Sequence, residues 1–125
     1  FNITEDTIIH GYKNEYSQVI LNILSNAKDI LIERKIQNPK IDIEIKNGNN
    51  YALVKIKDNA GGVDKSIIDK IFEPYFTTRH QTQGTGIGLY MSKNIIERNM
   101  HGYINVRNEE NGALFTVKVD KEMEA

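Results

Sequence analysis

Cysteine and tryptophan are absent from this chain of 125 residues, and proline occurs only twice. Without cysteine there can be no disulfide, thiolate metal site or thiol nucleophile, and the composition suits a reducing compartment. An excess of one charge sign is missing too: 16 Lys and Arg face 17 Asp and Glu, for a formal net charge of −1. A broad nucleic-acid or anionic-membrane surface needs a basic excess, so neither partner is expected. Long hydrophobic runs are also lacking. The most apolar stretch, 19–24, is broken by Asn22 and is far short of a membrane span. No signal peptide opens the chain, and it starts at Phe1 rather than Met, as expected of an excised fragment or a processed product.

What is present is ordinary for a globular domain. A hydrophobic fraction of 39% with 26% charged residues is too apolar for disorder, and the length suffices for a real core. No repeat or low-complexity linker divides the sequence, so one domain over 1–125 is expected, with a fraying tail from 120. Residues 15–33 place Tyr16, Val19, Ile20, Ile23, Leu24, Ala27, Ile30 and Leu31 at three- and four-residue steps, one face of an amphipathic helix. Strict alternation over 41–46, a turn at 47–50, and Ala52, Val54 and Ile56 on one face predict a β-hairpin. A glycine-bearing loop follows at 58–63. Asp64 is placed to cap a short helix holding Ile67, Ile68 and Ile71. A glycine-rich turn at 84–88 leads into a helix through about 99, with Ile87, Met91 and Ile95 at four-residue steps. His101-Gly102 ends that helix, and two alternating strands flank a turn at 108–112. Helices and paired strands are clustered rather than alternating, which favours α+β with a mostly antiparallel sheet and helices on one face.

Three features are chemically suggestive. Asn22 and Asn26 lie one turn apart at the edge of the apolar stripe of the first helix. Amides there either bond to a neighbouring loop or offer a carbonyl to a hard cation such as Mg²⁺. Asp58, counted by twos from Ala52, ends its strand on the core side, and Ala60-Gly61-Gly62 leave room beside it for a planar ligand. The plain alternative is an Asp-Asn turn. Gly84-Thr85-Gly86-Ile87-Gly88-Leu89 opens a helix, where small residues and free amides suit a phosphate. The segment is neither a P-loop nor a dinucleotide fingerprint, because no Gly-Lys-Ser/Thr follows and the glycine spacing is wrong.

In order along the chain, these features resemble a known family. Asn22-Ile23-Leu24-Ser25-Asn26-Ala27, Asp58-Asn59-Ala60-Gly61-Gly62, Phe72-Glu73-Pro74-Tyr75-Phe76-Thr77-Thr78-Arg79 and Gly84-Thr85-Gly86-Ile87-Gly88-Leu89 look like four successive boxes. They are similar to the N, first glycine, F and second glycine boxes of sensor histidine kinase catalytic domains, of the GHKL or Bergerat-fold superfamily. The likeness runs from about 14 to 119. It implies a two-layer α/β sandwich, a mixed, mostly antiparallel sheet with three helices on one face.

The resemblance also implies roles. Asn26 would be the Mg²⁺ ligand, with Asn22 supporting the phosphates and metal. Asp58 would accept the adenine amine, and Gly62 would keep the backbone clear of the base. Phe72 and Phe76 would anchor an ATP lid over 77–84, with Thr77 and Thr78 at its start. Gly84, Thr85, Gly86, Ile87, Gly88 and Leu89 would cradle the phosphates. Arg79, the only Lys or Arg between Phe72 and Lys93, would reach them when the lid closes. Two positions depart from the pattern: Ala60 stands for the usual first glycine, and Asp29 for a frequent lysine, tolerable if it points away or pairs with Lys28 or Arg34.

In hydrolytic relatives and anti-sigma-factor kinases the place of Asn22 is held by a glutamate base. An amide cannot take a proton at neutral pH, so the expected reaction is γ-phosphoryl transfer from ATP to a histidine. His10, His80 and His101 suit structural or solvated places better than that of acceptor. The acceptor is therefore expected on a separate dimerisation domain of the full-length protein, with a response regulator downstream. A cytoplasmic location is implied, with any inner-membrane anchor in other segments. A GHKL ATPase or serine-directed kinase, and a non-catalytic nucleotide-binding module, are the alternatives.

Overall fold

The alternation read in the sequence becomes a four-stranded sheet in the computed structural model, which describes residues 13–74 and 88–120. Helix α1 (Lys13–Glu33) is followed by strands β1 (Ile41–Asn47) and β2 (Tyr51–Asp58). A single 3₁₀ turn (Ile68–Lys70) precedes α2 (Gly88–Asn94), which continues as a π-helical turn (Ile95–Asn99). Strands β3 (Tyr103–Glu109) and β4 (Gly112–Asp120) complete the order. The sheet runs β1-β2-β4-β3, and every pairing among the described residues is antiparallel. His10 and His80 lie outside the described residues.

The register lines up one apolar face. Ile43 opposes Ile56, Val54 opposes Val117, Ile56 opposes Phe115, and Ile104 opposes Val117. Val19 and Ile23 of α1, with Ile96 and Met100 beyond α2, pack onto these side chains and form the core. Each such fully buried branched side chain contributes roughly 1.5–3 kcal/mol. The opposite sheet face carries alternating charge, including Lys57 within 3.9 Å of Glu109 and 3.7 Å of Glu110. These are solvated pairs of small individual worth.

Two expectations shift. The predicted helix over 64–71 is no more than a turn. Asp64 does not cap it, since the N-cap place falls to Ile67 and no side chain bonds there. Its carboxylate instead closes a local turn, accepting from the Ser66 N–H and Oγ at 2.9 Å, and those bonds hold it below its usual range. In α2 the buried line is Ser92, Ile96 and Met100, while Met91 is exposed. The helix is turned one position from the Met91–Ile95 stripe because Ser92 is pinned against α1 by Asn22. The chain then bends out of the helix at His101, whose φ is 51°, and the Gly102 N–H returns to the Ile96 carbonyl at 2.9 Å.

Candidate functional site

Period-two alternation carries Asp58 to the core side of β2, where only 5% of it stays exposed. A buried carboxylate must find donors. Its Oδ1 accepts the Ala60 N–H at 3.0 Å and the Ala113 N–H at 3.3 Å. The carboxylate sits in a pocket of about 90 Å³ between α1, the loop after β2 and the start of α2. Asn26 and Ala27 form one wall, Ala60, Gly62 and Val63 another, and Ile71, Leu89 and Phe115 supply apolar surface. One buried carboxylate in a mostly apolar cleft, with Asn26 and Arg34 as its other polar lining, suits a base with an exocyclic amine.

The wall after β2 is tied on all sides. Gly61 donates its N–H to Asn111 at 2.7 Å. The Asn108 amide both accepts from the Val63 N–H and donates to the Val63 carbonyl, each at 2.7 Å. Asn59 accepts from the Lys40 N–H at 2.9 Å and donates to the Asn38 carbonyl at 3.0 Å. Arg34 Nη1 donates to both the Ala60 and Gly62 carbonyls at 2.8 Å. Gly61 and Gly62 carry the left-handed backbone, with φ of 102° and 88°. Ala60 does not need that conformation, which explains why alanine can stand where the family pattern has glycine. A Cβ on Gly62 would approach Asn108 Oδ1 to 2.7 Å, so that glycine is required twice over.

Asn22 and Asn26 occupy successive turns of α1, as the spacing predicts, but do different things. Asn26 lines the pocket. Asn22 bridges the helices: its Nδ2 donates to Ser92 Oγ at 3.1 Å and to the Gly88 carbonyl at 3.4 Å, while its Oδ1 accepts from Gln18 at 3.0 Å. Phe72 lies behind the pocket rather than in it, edge-on to Phe115 with centroids 6.3 Å apart, and Lys93 Nζ rests 5.7 Å above its ring. Leu89 lines the pocket and Gly88 opens α2. Phe76, Thr77, Thr78, Arg79, Gly84, Thr85, Gly86 and Ile87 lie outside the described residues.

Sequence reasoning passed over Arg34, Asn108 and Ser92. The sequence pattern offers Arg34 only as a partner for Asp29. Only Ser92 had a legible signal, a small polar residue four after Gly88 on the expected helix. Among the described residues no cluster of three or more His, Asp or Glu converges on a metal position. A cation here would depend on an amide oxygen and on its ligand's own oxygens.

With that geometry in hand, comparison with known proteins decides the family. Residues 11–123 match the sequence profile described as histidine kinase-, DNA gyrase B-, and HSP90-like ATPase. The chain belongs to that ATPase family. The fold superimposes on the nucleotide-free catalytic domain of histidine kinase ThkA with TM-score 0.80 and 30% identity, covering 97% of this chain and 76% of that one. ThkA in complex with the response regulator protein TrrA also matches, with TM-score 0.74, 29% identity, and coverage of 98% and 33%. Two-component sensor PprA of Pseudomonas aeruginosa is 33% identical over 122 residues, 93% of this chain. The chain spans only 13% of the length of PprA. Within the ATPase family this is a catalytic domain of the sensor histidine kinase type, α+β with a mostly antiparallel sheet as expected, but with two helices rather than three among the described residues, the third being the 3₁₀ turn. No described helix is long and apolar enough to cross a membrane.

Proposed function

We propose that this histidine kinase domain binds Mg-ATP and passes the γ-phosphoryl group to a histidine on a separate dimerisation and phosphoacceptor domain of the same full-length protein. The observation that carries the reading is Asp58. Its Oδ1 is engaged by the Ala60 amide of the loop and the Ala113 amide of β4, and the carboxylate lines a mostly apolar pocket suited to a base. The adenine amine donates to that carboxylate, and Gly62 leaves the backbone clear of the ring. Asn26 suits a Mg²⁺ ion through its amide oxygen, since this hard cation needs few protein ligands when phosphates and water supply the rest. When bound, Mg²⁺ neutralises charge on the phosphates. The family pattern adds Gly84, Thr85, Gly86, Ile87, Gly88 and Leu89 for the phosphates, Phe72 and Phe76 for the lid base, Thr77 and Thr78 within the lid, and Arg79 as its cation.

The nitrogen lone pair of a neutral imidazole attacks the γ-phosphorus, and the bond to the β–γ bridging oxygen breaks with its electron pair leaving on ADP. The imidazole then sheds its remaining proton to water. No base is needed in this domain, which agrees with Asn22 being an amide tied to Ser92 and Gly88. A response regulator would take the phosphoryl group in the next step.

The test is incubation with γ-labelled ATP, Mg²⁺ and a helical-hairpin domain bearing a histidine. Acid-labile, base-stable label on that histidine is the expected result. Steady ADP release with no acceptor present would instead favour a GHKL ATPase. Binding of ATP without either outcome would leave a nucleotide-sensing module as the answer.

A further inference from the structure

Arg34 is the first residue past α1, and its N–H still donates to the Ile30 carbonyl at 3.0 Å. At Lys35 the backbone turns left-handed, with φ of 52°, and the chain leaves the helix axis. Arg34 sits at the rim of the nucleotide pocket, and its Nη1 meets two carbonyls at once, those of Ala60 and Gly62, each at 2.8 Å. Two carbonyl oxygens aimed at one point repel each other unless a cation stands there, and charge-assisted bonds are about twice as strong as neutral ones. The bridged residue, Gly61, has no side chain, and a Cβ on it would come to 3.4 Å from Arg34 Nη1. Gly61 and Gly62 have little intrinsic preference for their present shape, so that shape has to be imposed from outside.

We propose that Arg34 is a positioning residue for nucleotide recognition: by clasping the Ala60 and Gly62 carbonyls it holds the Gly61-Gly62 backbone as a preformed wall for the base. The inference rests on the nucleotide reading above and assigns Arg34 no contact with the phosphates. A wall set before the ligand arrives spares the ordering cost that a loose loop would add to binding. Lysine is a poorer substitute, because it is a point charge on a flexible stem rather than a fixed fork.

The experiment compares wild type, Arg34→Ala and Arg34→Lys as ¹⁵N-labelled chains. Amide hydrogen exchange is followed at Gly61 in the loop and at Val54 in the central strand β2. Titrations with ATP and with adenosine follow. In Arg34→Ala, Gly61 protection should fall about tenfold or more while Val54 protection holds. Affinity for ATP and for adenosine should weaken by the same factor, about tenfold. Arg34→Lys should lie between the two. Unchanged Gly61 protection overturns the proposal, as does a loosened loop with undiminished nucleotide affinity. A loss for ATP alone, with adenosine unaffected, also overturns it, because that would mark a phosphate contact. If the wild-type chain binds neither ATP nor adenosine, the nucleotide reading fails, and Gly61 exchange still decides whether Arg34 shapes the loop.

Discussion

The Asn22 side-chain amide donates to the Ser92 hydroxyl at 3.1 Å, and Ser92 in turn donates to the Gly88 carbonyl at 2.8 Å. This relay accounts for a polar side chain that is fully buried at Ser92. It also fixes the start of α2 against α1, so the family position that holds a base in hydrolytic relatives here serves as a tie.

Replacing Asn22 by aspartate tests that tie. The carboxylate would face the Gly88 carbonyl with no proton to give, and Ser92 could satisfy only one of its two acceptors. We expect Asn22→Asp to cost about 1–3 kcal/mol and Ser92→Ala about 1 kcal/mol. Thermal melts of the two variants check the order, and an Asn22→Asp chain as stable as wild type would refute the tie.

Asp58→Asn keeps an oxygen for the Ala60 and Ala113 amides but turns the other position into a donor. Two donors then confront each other where an exocyclic amine enters. Titration calorimetry should show ATP affinity falling about 100-fold or more, with the melting temperature nearly unchanged. Undiminished ATP binding would place the base elsewhere.

The Tyr16 hydroxyl is buried with no hydrogen-bond partner among the described residues, and burial pushes its pKa up to about 12 from 10.0. The folded state therefore favours the protonated form. This contribution is whole below pH 10 and is lost as pH climbs through about 12, at about 1.4 kcal/mol per pH unit. Tyr16→Phe carries no such titration. Its stability should fall less steeply than that of wild type between pH 10 and 12 in denaturant melts, and at pH 7 it should match or exceed wild type.

A methyl group on Gly112 would run into the Asp58 carbonyl, a backbone atom that cannot swing aside. Gly112→Ala should therefore push the β3–β4 turn off the end of β2 and disturb Asn111, bonded to Gly61, and Ala113, bonded to Asp58. We expect a loss of stability of about 1–3 kcal/mol and weakened nucleotide binding in the same variant. Gly61 amide shifts in its spectrum provide the check.

Much of this was legible in the sequence because it rests on period. Alternation put Asp58 on the core face of β2, and the 3.6-residue repeat put Asn22 and Asn26 on one edge of α1. The period failed in α2, where Met91 and Ile95 looked like the buried line. There the deciding interaction is Asn22 with Ser92, 70 residues apart, and no local pattern reveals it. The short helix at 64–71 shrank to one turn because Asp64 and Ser66 satisfy each other locally and too few residues follow to propagate it.

The strand and helix periods, the inward face of Asp58 and the ordered boxes that mark the family are all legible along the chain. These follow from spacing along one chain, and spacing is local information. What holds the Gly61-Gly62 wall emerges only on folding, since Arg34 follows α1 while Asn108 and Asn111 flank the β3–β4 turn, both remote in sequence from the loop. Tertiary structure likewise decided that Asn22 is a tie between helices while Asn26 faces the pocket. Hydrogen-bond partners are chosen by which surfaces meet in three dimensions, and two amides alike in sequence part company there.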